Sequence, residues 1–244
     1  MTLTESIREK TLRTLDLIRA AEKRARRAPE STRLVVVTKT QPIEVVQAAL
    51  EAGLTMFGEN YPEEAVEKME ALGPRAGVEW HMIGHVQSRK AAFIPGRFTL
   101  MHSLDGLKLA ERLNRFAAEQ GQSLRVLLEM NVGDEASKSG WPASDEAAWP
   151  ALFGDVDMVL KLPHLSVNGL MTMPPLHTDP ERARPYFVKL RRLRDVLAKT
   201  FPAANWSELS MGTSSDFETA VEEGATLVRV GSAIFGARPL KART

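Results

Sequence analysis

Apolar positions along the chain recur with two alternating periods. The opening segment carries Leu3, Ile7, Leu15 and Ile18 on one side and lysines and arginines elsewhere, the spacing of an amphipathic helix. Thr2 and Glu5 stand before it at capping-box spacing, and Pro29 marks its end. Short β-branched runs then alternate with helical patterns. The strand-like runs are 34–39, 55–60, 78–84, 99–105, 124–132, 165–173, 208–212 and 227–231. Helical patterns occupy 43–52, 63–72, a short stretch after His85, 107–119, 145–161, 180–199 and 216–223. Asp179-Pro180 suits a helix opening, with the acid as cap and proline in the first turn. Eight such units of roughly 30 residues each give the α/β class, a single (β/α)8 TIM barrel with an extra N-terminal helix. A doubly wound open sheet is the competitor, but no G-x-G-x-x-G follows any strand. No linker or low-complexity tract interrupts the pattern, so residues 1–244 are expected to form one domain.

Composition narrows the function classes. With 43% hydrophobic and 26% charged residues the 244-residue chain is an ordinary globular sequence. Its net charge of +1 offers no basic face for nucleic acid. The absence of cysteine removes disulfides, thiol nucleophiles and cysteine metal sites. No apolar run reaches the roughly 18 residues of a membrane span, and Glu5, Glu9 and Asp16 disfavour a secretory or mitochondrial leader. A cytoplasmic protein is expected, and without a large apolar surface helix a monomer.

Barrel chemistry sits at the carboxyl ends of the strands. Alternation in the first strand sets Val35, Val37 and Lys39 on one face. If that face is the interior, the Lys39 ammonium enters the mouth, where lost hydration favours a nucleophilic amine. Otherwise Lys39 reaches past the rim into water or pairs with an acid such as Glu59. The seventh and eighth strands end in Gly212-Thr213-Ser214-Ser215 and Gly231-Ser232, each before a helical turn. Two Gly-Ser turns at the positions where barrels gather phosphate suggest an anion cradle, although Ser215 and Glu218 also fit plain helix capping. In the last strand Leu227, Arg229 and Gly231 face inward while Val228 and Val230 face the helices. An inward guanidinium needs either a ligand acceptor or an acid such as Glu129. Asn60 either caps the next helix or donates to a ligand beside Lys39. His81 and His85 are four apart on a strand and turn, which is not the helical metal-binding geometry, and His102, His164 and His177 are scattered. No metal is expected. Amine, anion cradle and arginine together suit a flat aldehyde phosphate: pyridoxal 5′-phosphate with Lys39 as its internal aldimine, or the substrate of a Schiff-base aldolase.

The segments VVTKTQP, MFGENYPEE, WHMIGHVQSRK, MHSLD, NVGDEASKSG, GLMTM and LSMGTSSDFETAVEEGATLVRVGSAIFGAR closely resemble the single-domain pyridoxal-phosphate homeostasis proteins, which are similar to the barrel domain of bacterial alanine racemase. The likeness runs in order from about residue 5 to Arg238. It implies a cofactor binder that affects vitamin B6 pools. Lys39 would be the aldimine lysine. Ser214, Gly231 and Ser232, with the amides of Gly212 and Thr213, would hold the phosphate. Arg229 would face the pyridine nitrogen and Asn60 the ring's hydroxyl side. Arg89, Thr213 and Ser232 depart from common asparagine, methionine and threonine, and serine keeps the hydroxyl.

The alternative is an amino-acid racemase, which needs a base on each face of the ring. In alanine racemase, by the resemblance, the second base comes from a separate domain of a partner subunit. The chain stops at Thr244, so no such domain is expected here, and the only tyrosines are Tyr61 and Tyr186. A cation at the ring nitrogen also weakens the ring as an electron sink. The expectation is therefore a non-enzymatic binder with no catalytic residues, able to pass the cofactor to apo-enzymes.

Overall fold

A computed structural model describes residues 1–135 and 138–236; Ala136 and Ser137 of the fifth motif and Ala237 and Arg238 of the last lie outside it. Its strands are β1 (Arg33–Val37), β2 (Met56–Glu59), β3 (Glu79–Met82), β4 (Leu100–Leu104), β5 (Leu124–Asn131), β6 (Trp141–Pro142), β7 (Leu165–Met171), β8 (Glu208–Ser210) and β9 (Leu227–Val230). Its α-helices are α1 (Leu3–Arg24), α2 (Ile43–Glu51), α3 (Pro62–Leu72), α4 (Leu107–Glu119), α5 (Phe153–Leu160), α6 (Arg184–Thr200), α7 (Phe217–Glu222) and α8 (Ser232–Phe235). The sheet runs β4-β3-β2-β1-β9-β8-β7-β5-β6, and β4 also pairs with β5, which closes it. Every pairing is parallel. The eight expected strands are the barrel, and the two-residue β6 is an appendage on the end of β5. Three helical stretches are wholly or partly 3₁₀: the turn after His85, the start of the 145–161 pattern and the Asp179-Pro180 opening.

Alternation along each strand separates two apolar layers. Val35, Leu100, Leu127, Met171 and Leu227 pack inside the barrel with Met56. Val36, Phe57, Met82, Leu128, Leu209, Val228 and Val230 point outward and join the helices in the larger cluster. Fully buried side chains of this size contribute about 1.5–3 kcal/mol each against exposure. Gly169 permits the sheet at β7–β8: its φ is +149°, and a Cβ there would lie 1.9 Å from the Glu208 carbonyl oxygen.

Helix α1 begins with the expected capping box: Glu5 N–H donates to Thr2 Oγ1, and Thr2 N–H to Glu5. Its buried stripe is Ile7, Thr11, Thr14, Ile18, Ala21 and Glu22, whereas Leu3 is half exposed, a correction to the apolar-only stripe. Thr14 fits because its hydroxyl serves its own helix, donating to the Lys10 carbonyl, whereas the buried Thr11 hydroxyl has no hydrogen-bond partner. Packed on α2, α7 and α8, α1 covers the β1–β9 seam, where the described part of the last unit supplies only the short α8. Among the described residues no helix is long and apolar enough to cross a membrane.

Candidate functional site

A cavity of ≈ 620 Å³ opens at the carboxyl ends of the strands. Of the residues singled out in the sequence, Lys39, Asn60, Thr213, Ser214, Arg229, Gly231 and Ser232 line it. Gly212 does not. It turns the chain beneath the cavity with φ +92°, where a Cβ would come within 2.5 Å of Ala220, and its carbonyl accepts from the Arg229 amide.

Lys39 follows β1 on the inward side, beyond Val35 of the inner cluster and Val37 of the cavity wall. Buried charges hold its neighbours. Thr38 donates through Oγ1 to Glu59 (2.7 Å). Lys68 donates through Nζ to the Thr38 carbonyl (2.7 Å), Glu59 (2.8 Å) and Glu64 (2.6 Å). Glu64 in turn accepts the amide of Thr40 (2.6 Å), whose φ is +62°. Glu59 therefore clamps the backbone beside Lys39 through Thr38 and Lys68, a role the sequence did not assign it. Burial pushes the Glu59 carboxyl up, and Lys68 opposes this.

Asn60 lies at the helix entrance, but Tyr61 is the cap residue of α3 and no side chain serves that cap. Asn60 Oδ1 is instead buried without a hydrogen-bond partner on the wall of the cavity. Arg229, 4% exposed, donates to Ser210 Oγ, to the Thr172 carbonyl (2.8 Å) and to Met173 Sδ (2.9 Å). Among the described residues no carboxylate forms an ion pair with it, so the alternative of a direct Glu129 pair is not what the structure contains. Desolvation lowers its pKa to about 10, opposed by the more distant Asp216 and Glu129. A buried cation without a paired anion and an unsatisfied amide oxygen, both lining the cavity, are groups that a polar ligand would satisfy.

At the ends of β8 and β9 the anion side is satisfied from within. Ser214 Oγ accepts from the amides of Gly231 (3.2 Å) and Ala233 (3.4 Å). Thr213 gives its amide (2.6 Å) and hydroxyl (3.0 Å) to Asp216. The serine oxygen thus stands where a ligand oxygen would meet the same amides.

Sequence reasoning named Glu129 only as a partner for Arg229 and did not place His85 or Lys138 in this cavity. Glu129 lines it from the inward face of β5, and burial with the nearby Asp105 raises its pKa to about 7. His85 Nδ1 lies 2.6 Å from Asp105 and 3.2 Å from Ser139 Oγ. Lys138 donates to the carbonyls of Met173 (3.1 Å) and Pro174 (2.9 Å). The inward alternation Leu127–Glu129 was the available signal for the first; the other two sit in loops without a period. Among the described residues no group of three histidines or carboxylates could hold a metal ion.

An amine, a guanidinium, hydroxyls and backbone amides around one cavity suit a ligand with a carbonyl and an anionic group. The sequence pattern of the alanine racemase N-terminal domain matches residues 15–239. The pyridoxal phosphate homeostasis protein of Aquifex aeolicus is 41% identical over 94% of this chain and 97% of its own. That of Escherichia coli K12 is 38% identical over 91% and 93%. PipY of Synechococcus elongatus, solved with PLP bound, superposes with a TM-score of 0.79 at 32% identity, covering 96% of this chain and all of its own. Alanine racemase of Clostridium difficile shares the fold, with a TM-score of 0.72 at 14% identity over 97% of this chain and 58% of its own. Matched across nearly its whole length, the chain belongs to the pyridoxal phosphate homeostasis proteins of the alanine racemase N-terminal-domain family.

Proposed function

We propose that this protein binds pyridoxal 5′-phosphate and serves vitamin B6 homeostasis as a binder, not as an enzyme. The observation that carries this reading is the cavity itself, where the Lys39 amine, the unpaired Arg229 cation and the Ser214 and Ser232 hydroxyls converge. The naming of relatives 38–41% identical supports it, as does the PLP bound to PipY. When bound, the cofactor supplies an aldehyde for amine capture and a ring that delocalises negative charge. Lys39 engages the aldehyde. Ser214, Ser232 and the Gly231 amide take the phosphate, Ser214 exchanging its present amide partners for a ligand oxygen. The Thr213 and Gly212 contribution to that cradle is backbone shape, since Asp216 takes the Thr213 amide and Gly212 lies behind the wall. Arg229 faces the ring nitrogen and disfavours its protonation, which works against carbanion chemistry. Asn60 meets the ring's polar edge. Residues 1–244 act as one binding domain, monomeric and cytoplasmic, that passes the cofactor to apo-enzymes.

The test is spectroscopic. Protein mixed with PLP should show an absorbance band near the visible edge, and borohydride followed by peptide mass analysis should place the cofactor on Lys39. Lys39→Ala should abolish both. A band and label that persist at full occupancy in that variant would overturn the lysine assignment. Incubation with D- and L-alanine separates the classes: a stoichiometric spectral change fits the binder, whereas sustained interconversion makes the protein a racemase.

A further inference from the structure

Beneath the cavity a file of polar side chains crosses the barrel core, and the binding chemistry above makes no use of it. At the start of β3, Glu79 has a side chain 40% exposed, and its Oε2 lies 3.2 Å from His81 Nε2. His81 Nδ1 is 2.9 Å from His102 Nε2 on β4, and His102 Nδ1 is 2.7 Å from Ser210 Oγ on β8. Ser210 Oγ accepts from Arg229 in the cavity wall. His81, His102, Ser210 and Arg229 are all buried, and the file runs without a break from the amino-end rim to the cavity.

Such a file has a direction. Burial lowers the pKa of both histidines, His102 the more, so both imidazoles are neutral and each offers one N–H and one acceptor nitrogen. An ionised carboxylate only accepts. Glu79 therefore requires the proton on His81 Nε2, which leaves His81 Nδ1 to accept from His102 Nε2–H. His102 Nδ1 then accepts the Ser210 hydroxyl proton, and the Ser210 lone pairs are left for Arg229. The reversed file would set His102 Nδ1–H and Arg229 both on the Ser210 oxygen and strand the hydroxyl proton in the core, at a cost.

We propose that Glu79 is a positioning residue for Arg229, fixing the guanidinium's orientation toward the cavity through the tautomers of His81 and His102 and the hydroxyl of Ser210. Its consequence for the cofactor rests on the proposed PLP reading; the relay itself does not.

Two measurements on the full chain keep these apart. In ligand-free protein labelled with ¹⁵N-histidine, long-range ¹H–¹⁵N correlations should show both rings as Nε2–H tautomers, and Glu79→Gln, whose amide can donate as well as accept, should populate the Nδ1–H form at both as a minor species. An Nδ1–H tautomer at either ring in the parent protein, or no change in the variant, overturns the relay. Glu79 is at the rim, so its amide variant should fold. For PLP titrated by absorbance, Glu79→Gln and Ser210→Ala should each weaken binding roughly fivefold, the scale of one misdirected hydrogen bond. In the Ser210→Ala background Glu79→Gln should add less than about twofold, because both act through one oxygen. Additive losses overturn the proposal. A parent protein that fails to bind PLP sinks the functional reading, and the tautomers still decide the relay.

Discussion

The two sides of the cavity are held by different physics. On the β1–β2 side the loop that carries Lys39 is tied down by charged groups: Lys68 donates to the Thr38 carbonyl, Glu64 accepts the Thr40 amide, and Glu59 accepts from the Thr38 hydroxyl and Lys68. On the β8–β9 side neutral groups satisfy one another, Ser214 sitting on two amides of the α8 turn. The amine side is fixed before any ligand arrives. The anion side instead exchanges one set of hydrogen bonds for another, which lowers the net gain from each phosphate contact. Orientation of the reacting amine is thus a property of the fold, while the anion is held by groups that already have partners.

The largest break in that contrast comes from Lys68→Met. It leaves Glu59 buried without its cation, and removing one partner of a buried pair costs about 3–5 kcal/mol. Urea unfolding should show the loss, and borohydride labelling of Lys39 should fall with it in protein that remains folded. Combining it with Glu59→Gln should restore part of the stability. No recovery in the double variant would mean that the pair is not what holds the loop.

Next in size is a pH effect at Glu129, on the wall between the two sides. Its folded pKa is raised from 4.5 to about 7, so the native state keeps a proton that the unfolded chain releases. Stability therefore falls as pH rises across that window, by about 3 kcal/mol in full. Glu129→Gln should flatten the profile of unfolding free energy between about pH 4.5 and 7. An unchanged slope would show that this carboxyl titrates normally in the folded protein.

The sequence carried the frame of this site better than its fastenings. All eight strand patterns and the inward set Val35, Lys39, Leu227 and Arg229 follow from alternation, because a period of two leaves no choice of face once one residue is placed. Asn60 looked like a cap, and only the backbone at Tyr61 shows that it is free to face a ligand. Lys68 reads as one more surface lysine of an amphipathic helix, and its burial depends on the β1–α2 loop, distant in sequence. His81 looks paired with His85 and His102 looks scattered until the parallel register sets β3 beside β4. Contacts across strands have no signature within either strand alone.

Ser214→Ala sharpens the contrast from the other side. It removes the acceptor of the Gly231 and Ala233 amides, for about 1 kcal/mol of stability. PLP affinity should fall about threefold, the reduced value of an exchanged hydrogen bond, while affinity for pyridoxal, which lacks the phosphate, stays unchanged. Equal losses for both ligands would detach Ser214 from the anion.

The smallest effect on the free protein is expected at Asn60, where the two sides meet the ligand differently. Its Oδ1 is buried with no partner, so truncation removes an unsatisfied group instead of breaking a bond. Asn60→Ala should change unfolding free energy by less than about 0.5 kcal/mol, although it stands beside the most tightly held loop of the site. PLP affinity should nevertheless fall roughly fivefold, the value of one hydrogen bond formed only with the ligand. Because pyridoxal shares the ring and lacks only the phosphate, its affinity should fall by the same factor, the reverse of the Ser214 pattern. A loss confined to PLP would move Asn60 to the anion side, and a large loss of stability would mean that its side chain already has a structural partner.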